Sequence, residues 1–127
     1  MTPETIIGEH LRGLVSPAYT VYQAMLPSGY RNDSEAIVYT VASQDYPYVA
    51  TADLGRYTVY VQIYGGSDDW QDTDELRESF RRDAHGTSDN DVRQCIVTAA
   101  SQTRSDPVTG WPVAHLTLQF RLRIEDE

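Results

Sequence analysis

The segment that most constrains the fold of this chain is residues 113–124, where apolar and polar side chains alternate without a break. The apolar positions share one face: Ala114, Leu116, Leu118, Phe120, Leu122 and Ile124. The polar positions share the other face: His115, Thr117, Gln119, Arg121 and Arg123. A period of two over twelve residues predicts a β-strand with one face in a core and the other in water. At ~3.3 Å per residue it would reach ~40 Å, far longer than a typical strand.

A second strand with the same alternation is predicted over residues 56–64. Its core positions are Tyr57, Val59, Val61 and Ile63, and its wet positions are Arg56, Thr58, Tyr60, Gln62 and Tyr64. Two long strands, each with one buried and one polar face, form a platform whose polar side contacts either water or a partner.

Two amphipathic helices are predicted to cover the apolar side of this platform. The first starts at Thr2-Pro3-Glu4, where a capping hydroxyl precedes a proline and an acid. Its apolar stripe consists of Ile6, Ile7, His10, Leu11 and Leu14, and Pro17 closes the segment. The second spans residues 72–85, with Leu76, Phe80 and Ala84 on one face and His85-Gly86 at its C-terminus.

Three further strands complete the predicted order, over residues 18–25, 36–43 and 92–101. A long connection, residues 44–55, joins the second and third strands, and a turn-rich hairpin, residues 102–112, leads into the last one. The order α-β-β-β-α-β-β predicts a single two-layer α+β domain over residues 1–127. Its sheet is expected to be largely antiparallel, with four to five strands and both helices on one face.

Composition narrows the functional classes. The net charge is −9, and all ten cations are arginine. Free-standing DNA binding is disfavoured, because phosphate neutralisation drives it. The missing lysine reflects either a GC-rich genome or the suitability of arginine for protein interfaces. The single cysteine, Cys95, lies in an apolar run and is expected in the core. With no membrane-length apolar segment and no secretory signal, we expect a soluble protein made in the cytosol.

Motifs of catalysis are missing from the sequence. The three histidines, His10, His85 and His115, lie on different elements without metal-ligand spacing. No nucleophile elbow, phosphate loop or dinucleotide fingerprint occurs. The acidic residues around positions 68–78 could hold a divalent cation, but a solvated helix start explains them better. Trp70 within them is either a lid on the core or an exposed contact point, and the second reading is favoured. We therefore expect no enzyme and no cofactor.

Tyrosine and arginine together point to a protein interface. Tyr60, Tyr64 and Arg56 share the predicted wet face, and Tyr46 and Tyr48 lie on the long connection. Such residues are enriched at interfaces, although tyrosine also tolerates half-burial at a sheet edge.

The order and hydropathy of these segments resemble the tail terminator proteins of long-tailed bacteriophages, also called tail completion or tail-to-head joining proteins. The resemblance runs through the N-terminal helix, the stretch from Val21-Tyr22 to Leu26-Pro27, and the Ile37-Val38-Tyr39 strand. It continues through the strand at residues 56–64, the helix with Leu76 and Phe80, and the strand at residues 116–120. Glu35-Ala36, where a proline is expected, and the longer hairpin at residues 103–112 depart from the pattern.

The resemblance implies a virion protein made in the host cytoplasm and located at the head-proximal end of the tail. Such proteins form a homohexameric ring that caps the tail tube, ends its polymerisation and meets a head-completion or stopper protein. DNA passes through the lumen without specific binding, and an acidic lumen would repel it. No metal, cofactor or membrane is implied.

The resemblance gives each candidate surface a role. The tail-tube contact loop would comprise Tyr46, Tyr48 and Asp53. The ring interface would comprise Arg56, Tyr60, Tyr64, Arg121 and Arg123. The lumen or ring-surface acidic cluster would comprise Asp68, Asp69, Trp70 and Asp72. Two alternatives stay open: another neck or stopper connector, and an acidic inhibitor that mimics DNA. A small α+β enzyme is the weakest reading.

Overall fold

The computed structural model describes residues 2–15, 20–45 and 56–122. Two helices and six strands occur within these ranges. The helices are α1 (Pro3–Val15) and α2 (Trp70–Ala84). The strands are β1 (Thr20–Gln23), β2 (Ala36–Asp45), β3 (Arg56–Tyr64), β4 (Val92–Ala100), β5 (Arg104–Ser105) and β6 (Pro112–Leu122). The predicted α+β class with two helices is confirmed.

The sheet is largely antiparallel, as predicted, but it is mixed and has six strands, so the predicted count of four to five is wrong. Its order is β1-β2-β3-β6-β4, with β5 paired to the start of β6. β1 runs parallel to β2, with Thr20 opposite Ala36, whereas the other pairs are antiparallel. The chain between β1 and β2 must return to the same end of the sheet, which takes about a dozen residues. The two-residue β5 is too short to show any period in the sequence.

One face of the sheet and both helices enclose the main core. Ile7 and Leu11 of α1 and Leu76 and Phe80 of α2 are at most 5% exposed. They pack on the predicted apolar positions of β3 and β6, which are all buried where described: Tyr57, Val59, Val61, Ile63, Ala114, Leu116, Leu118, Phe120 and Leu122. Cys95 is fully buried in the same core, as predicted.

The other face carries a smaller apolar cluster at one end. Ala36, Val38, Tyr64 and Val113 are buried there, and Tyr22, Leu26, Tyr30 and Trp111 pack against them. The segment between β1 and β2 and the β5–β6 hairpin cover this end of the sheet. Tyr64 is only 4% exposed, so its predicted place on a wet face is wrong. The period of two placed it on the correct face, but the loops above that face bury it.

The helix ends follow the predicted chemistry. Oγ1 of Thr2 accepts a hydrogen bond from the backbone N–H of Thr5 at the start of α1. Asp69 caps α2 by accepting from the N–H of Gln71, so the helix begins at Trp70, two residues before the predicted start. His85 is the C-cap, and Gly86 follows with φ +81°, a left-handed conformation that glycine adopts without strain. None of the described helices has the length and apolar character needed to cross a membrane.

The connection after β2 is shorter than predicted. β2 continues to Asp45, so residues 44 and 45 belong to the strand and pair with Tyr57 and Arg56. The predicted tube-contact residues Tyr46, Tyr48 and Asp53 lie outside the described residues, as does Arg123.

Candidate functional site

A cleft of about 450 Å³ opens on the sheet face that the helices leave uncovered. One wall is the turn after β1, residues 24–26, and the other is the β5–β6 hairpin. The floor is formed by strand residues of β3 and β6: Gln62, Tyr64, Val113 and His115. Its size lies within the range common for binding sites.

The floor holds a cross-strand pair of polar side chains. Gln62 and His115 are directly opposite in the β3–β6 ladder, and Nε2 of Gln62 lies 3.5 Å from Nε2 of His115. Nδ1 of His115 is buried and has no hydrogen-bond partner among the described residues. His115 was predicted as a simple wet-face residue, but it is half-buried beneath the hairpin.

The charge state of His115 follows from its surroundings. Burial lowers the pKa of His115, and the nearby cation Arg104 lowers it further, while Asp106 acts in the opposite direction. The imidazole is therefore neutral at neutral pH. Arg104 is the cationic group of this cleft.

The hairpin wall is held in place by Asp106. Its carboxylate accepts hydrogen bonds from the Tyr64 hydroxyl at 3.0 Å and from the Val108 N–H at 2.8 Å, with a longer one from the Thr109 N–H. Burial raises the pKa of Asp106, but these hydrogen bonds outweigh it and the pKa is lowered. Burial and the bond to Asp106 raise the pKa of Tyr64.

Three aromatic rings pack against one another next to the same wall. The centroids of Tyr30 and Trp111 are 5.6 Å apart, and Tyr64 lies 6.4 Å from each of them, all in edge-to-face arrangements. The Tyr30 hydroxyl donates to the carbonyl of Ser34, and burial, followed by the charge of Asp33, raises the pKa of Tyr30 to about 12. Hydrogen bonds and aromatic packing therefore fix this wall of the cleft in the folded domain.

Ala24, at the edge of the cleft, has φ 69°, a left-handed conformation that costs an L-residue free energy. Its N–H donates to the carbonyl of Tyr39 at 2.8 Å, which fixes the turn against β2. The next residue, Met25, is 72% exposed and lines the cleft. On the opposite wall, Val108 is 90% exposed.

A second candidate surface is the acidic turn, which we define as Asp68, Asp69, Trp70 and Asp72 at the start of α2. All four side chains are exposed, and Trp70 is 50% exposed. Trp70 is therefore exposed and does not form a lid on the core, and its role as a contact point stays a prediction. Ser67 donates to Asp72 at 2.6 Å, and a shallow groove lined by Trp70, Asp74, Arg77, Gln102 and Thr103 lies beside the turn.

Among the predicted ring-interface residues, Arg56 lies directly opposite Arg121 in the β3–β6 ladder and shares a sheet face with Tyr60. Arg56 and Tyr60 are exposed on β3, with Tyr60 at 52%, while Arg121 is half-buried on β6. Tyr64 is inside the small cluster and unavailable to a partner without rearrangement. The cleft residues Arg104, Val108 and Met25 were missed by sequence reasoning, because they come from loops without a period.

A third polar site, which is partly buried, lies between α1 and the loop after α2. His10, 5% exposed, contacts Asp89 through Nδ1 and Thr87 through Nε2 at 2.9 Å. The order Thr-His-Asp matches that of a nucleophilic triad. However, the Thr87 hydroxyl donates to the carbonyl of Ala84 at 2.7 Å, and neither cleft described above includes these residues. These hydrogen bonds therefore join α1 to the loop after α2.

Among the described residues, no group of three or more histidine, cysteine, aspartate or glutamate side chains is arranged to hold a metal ion. The acidic side chains at the start of α2 make hydrogen bonds to neighbouring residues instead, such as Asp69 to Gln71.

Comparison with known proteins supports the fold only. No protein-family model matches the sequence, and no curated protein matches it. A solved structure of a protein whose name carries no function aligns with a TM-score of 0.58 at 9% identity. The alignment covers 98% of this chain and 92% of that chain. At this identity the likeness defines a shared α+β architecture over nearly the whole domain.

Proposed function

We propose that this protein is a tail terminator of a long-tailed bacteriophage, a virion protein that caps the tail tube as a ring. It would end tube polymerisation and present a surface to a head-completion protein, acting by surface complementarity without catalysis. The proposal starts from the order and hydropathy of the segments. The observation that carries it furthest is the uncovered sheet face, with its exposed Tyr60 and its cleft, in a domain that has a second exposed surface at the acidic turn.

A ring of identical subunits requires two different surfaces on each subunit, one for each neighbour. The uncovered sheet face and the acidic turn are two such surfaces on one domain. The acidic character of the chain fits a lumen through which DNA slides, because carboxylates repel phosphate.

A second candidate is an inhibitor that mimics DNA, which the net charge of −9 favours. Mimicry requires a continuous array of uncompensated carboxylates. On α2, however, Arg77 pairs with Asp74 and Glu78, and Arg81 pairs with Glu78 at 3.0 Å. These pairs neutralise the middle of the helix, so the terminator remains the better proposal. A neck or stopper protein would use the same kinds of surface as a tail terminator. The partner that the protein binds would distinguish the two functions.

The test is electron microscopy of the purified protein at high concentration, with and without isolated tail tubes of the phage that encodes it. Six-fold rings, and caps at one end of the tubes, are the expected result. Rings that ignore tubes but bind purified heads would favour a neck protein. A monomer that ignores both would refute the virion proposal, and competition with DNA for a DNA-processing enzyme would then test mimicry.

A further inference from the structure

The exposed large apolar side chains of the described residues fall into two groups. They number four: Met25, Tyr60, Trp70 and Val108. Met25 and Val108 stand on opposite walls of the cleft, and Tyr60 lies two positions from Gln62 on the same sheet face. Trp70 lies in the acidic turn. Two of the four thus line the cleft, Tyr60 lies on the same sheet face, and Trp70 gives the acidic turn its own exposed apolar side chain.

The charges at the two sites are complementary. The acidic turn presents three exposed carboxylates beside the indole of Trp70. In the cleft, Arg104 forms no ion pair with any described carboxylate. Asp106, the carboxylate of the cleft, already accepts three hydrogen bonds and so offers little to a second cation. The indole of Trp70 and its flanking carboxylates therefore complement the cleft, where apolar walls stand beside the guanidinium of Arg104.

The positions of the two sites allow a repeating contact. Both lie at the end of the sheet where β3 leaves and β6 begins. The acidic turn is on the helix side, because α2 packs on that face, whereas the cleft is on the opposite face. When the turn of one copy enters the cleft of the next, the first copy keeps a free cleft and the second keeps a free turn. Such a head-to-tail contact propagates and can close into a ring.

We infer that the cleft between Met25 and Val108 is the receptor for the acidic turn of a second copy of this chain, with Trp70 between the apolar walls and Asp68 or Asp69 at Arg104. The inference rests on the proposed ring and supplies its subunit interface. The Gln62 amide, at the floor, provides a polar partner for the incoming indole N–H or backbone.

The first experiment is sedimentation velocity over a concentration series for the wild type, Trp70→Ala, Trp70→Phe and Arg104→Glu. Trp70→Ala is expected to weaken association roughly thirtyfold or more, as for a buried tryptophan anchor, and Trp70→Phe to restore part of it. Arg104→Glu should weaken association at least about tenfold by placing like charges together. Arg82→Glu, with the same change of charge at the far end of α2, is the matched control and should assemble as the wild type does. Thermal unfolding of each variant checks that its fold is retained.

The second experiment mixes Trp70→Ala with Arg104→Glu. The first variant retains an intact cleft and the second retains an intact turn, so the mixture can form one sound contact and no more. At a concentration where neither variant associates alone, the expected product is a heterodimer that does not grow. Larger assemblies in the mixture, or no heterodimer at all, would contradict a head-to-tail contact between these two sites.

The outcomes separate this inference from the proposed function. Rings that form equally well with Trp70→Ala and Arg104→Glu would overturn the inference and leave the terminator proposal standing. A wild type that stays monomeric at high concentration would overturn both. Rings that are lost in both variants and unchanged in Arg82→Glu would support the inference, whether or not the rings cap tubes.

Discussion

Nδ1 of His10 lies 2.5 Å from Oδ2 of Asp89, which joins the first helix to a loop 79 positions further along the chain. The same carboxylate uses its other oxygen to accept from the N–H groups of Asp91 and Val92 at 2.8 and 2.7 Å. Asp89 thus fixes the loop after α2 and the start of β4 to α1. The ring of His10 also packs edge-on against Phe120 at 5.6 Å, so this polar contact is continuous with the main core.

Replacing Asp89 by asparagine tests this contact, since the amide oxygen can still accept from the backbone. Burial raises the pKa of Asp89, but the bonds from His10 and the two N–H groups outweigh it and the pKa is lowered. A carboxyl group whose pKa is lower in the folded state stabilises the fold above its unfolded pKa of ~3.9. That stabilisation is lost as the pH falls through the folded value.

We therefore expect Asp89→Asn to lower the free energy of unfolding by about 1 kcal/mol at pH 7, near the low end for a charged hydrogen bond because the carboxylate is partly exposed. Urea unfolding from pH 7 to pH 3 should show the two proteins converging in acid. Asp91→Asn, two residues away, is the control and should change little. A constant gap across that range would show that the charge of Asp89 is irrelevant.

Two glycines of α1 allow a matched test of close packing. A Cβ atom at Gly8 would overlap the hydroxyl oxygen of Tyr39, a buried side chain that donates to the Glu4 carbonyl. A Cβ atom at Gly13 meets nothing within 4 Å. Alanine favours a helix over glycine by up to ~1 kcal/mol, so Gly13→Ala should stabilise the protein.

Gly8→Ala gains the same helix propensity but must displace Tyr39, so we expect it to be destabilising by about 1–3 kcal/mol, as for overpacking. Thermal unfolding of the two variants measures the difference, and equal stabilisation by both would show that Tyr39 yields freely.

The Tyr64 hydroxyl ties the sheet to the hairpin through Asp106, and Tyr64→Phe removes that bond alone. We expect the free energy of unfolding to fall by about 1–2 kcal/mol, since a carboxylate loses a buried donor. Hydrogen exchange at Val108 and Thr109 should become faster. The exposed Tyr60→Phe on the same strand is the control, and a similar loss in both variants would count against the hairpin contact.

The pKa of His115 can be followed by NMR. Burial lowers the pKa of His115 most, and the charge of Arg104 lowers it further. Arg104→Gln should therefore raise the pKa of His115 toward the ordinary histidine value without reaching it. The histidine C–H resonances, titrated from pH 4 to pH 8, report the change. Arg82→Gln is the control. An unchanged or lower pKa in Arg104→Gln would show that the guanidinium does not act on this ring.

The proposed tube contact is tested by replacing Tyr46 and Tyr48 together with alanine. The double variant is expected to fold and to form rings but to lose tube capping, because aromatic side chains supply much of the affinity at protein interfaces. Electron microscopy of tubes mixed with each protein gives the fraction capped. Normal capping by the double variant would remove these residues from the contact.

Most of the fold was readable because it depends on periodicity. The alternation in β3 and β6 placed each described core residue on the correct face, and the predicted capping residue Thr2 acts at the start of α1. The cap at Asp69 was missed, so the predicted start of α2 was two residues late. The parallel pairing of β1 was missed, since four residues carry no sign of strand direction. β5 was missed because its two residues are too few to show a period.

The cleft was beyond sequence reasoning. Its residues come from four separate segments, and Arg104, Met25 and Val108 lie in or next to loops, where no period exists. The His10 network was hidden in a different way. His10 fell on the apolar stripe of α1, and nothing in the sequence indicated that Asp89 and Thr87 would meet it.

The sequence by itself determined which side chains face the core, where α1 begins and where α2 ends, and that the chain is acidic with arginine as its cation. These properties depend on local spacing and composition, which the chain carries along its length. Only the tertiary structure decided that Tyr64 is buried, that His115 is held neutral beside Arg104, and that Trp70 and the cleft lie at one end on opposite faces. Burial, pKa and the relation between two surfaces arise when distant segments meet, so they belong to the folded domain.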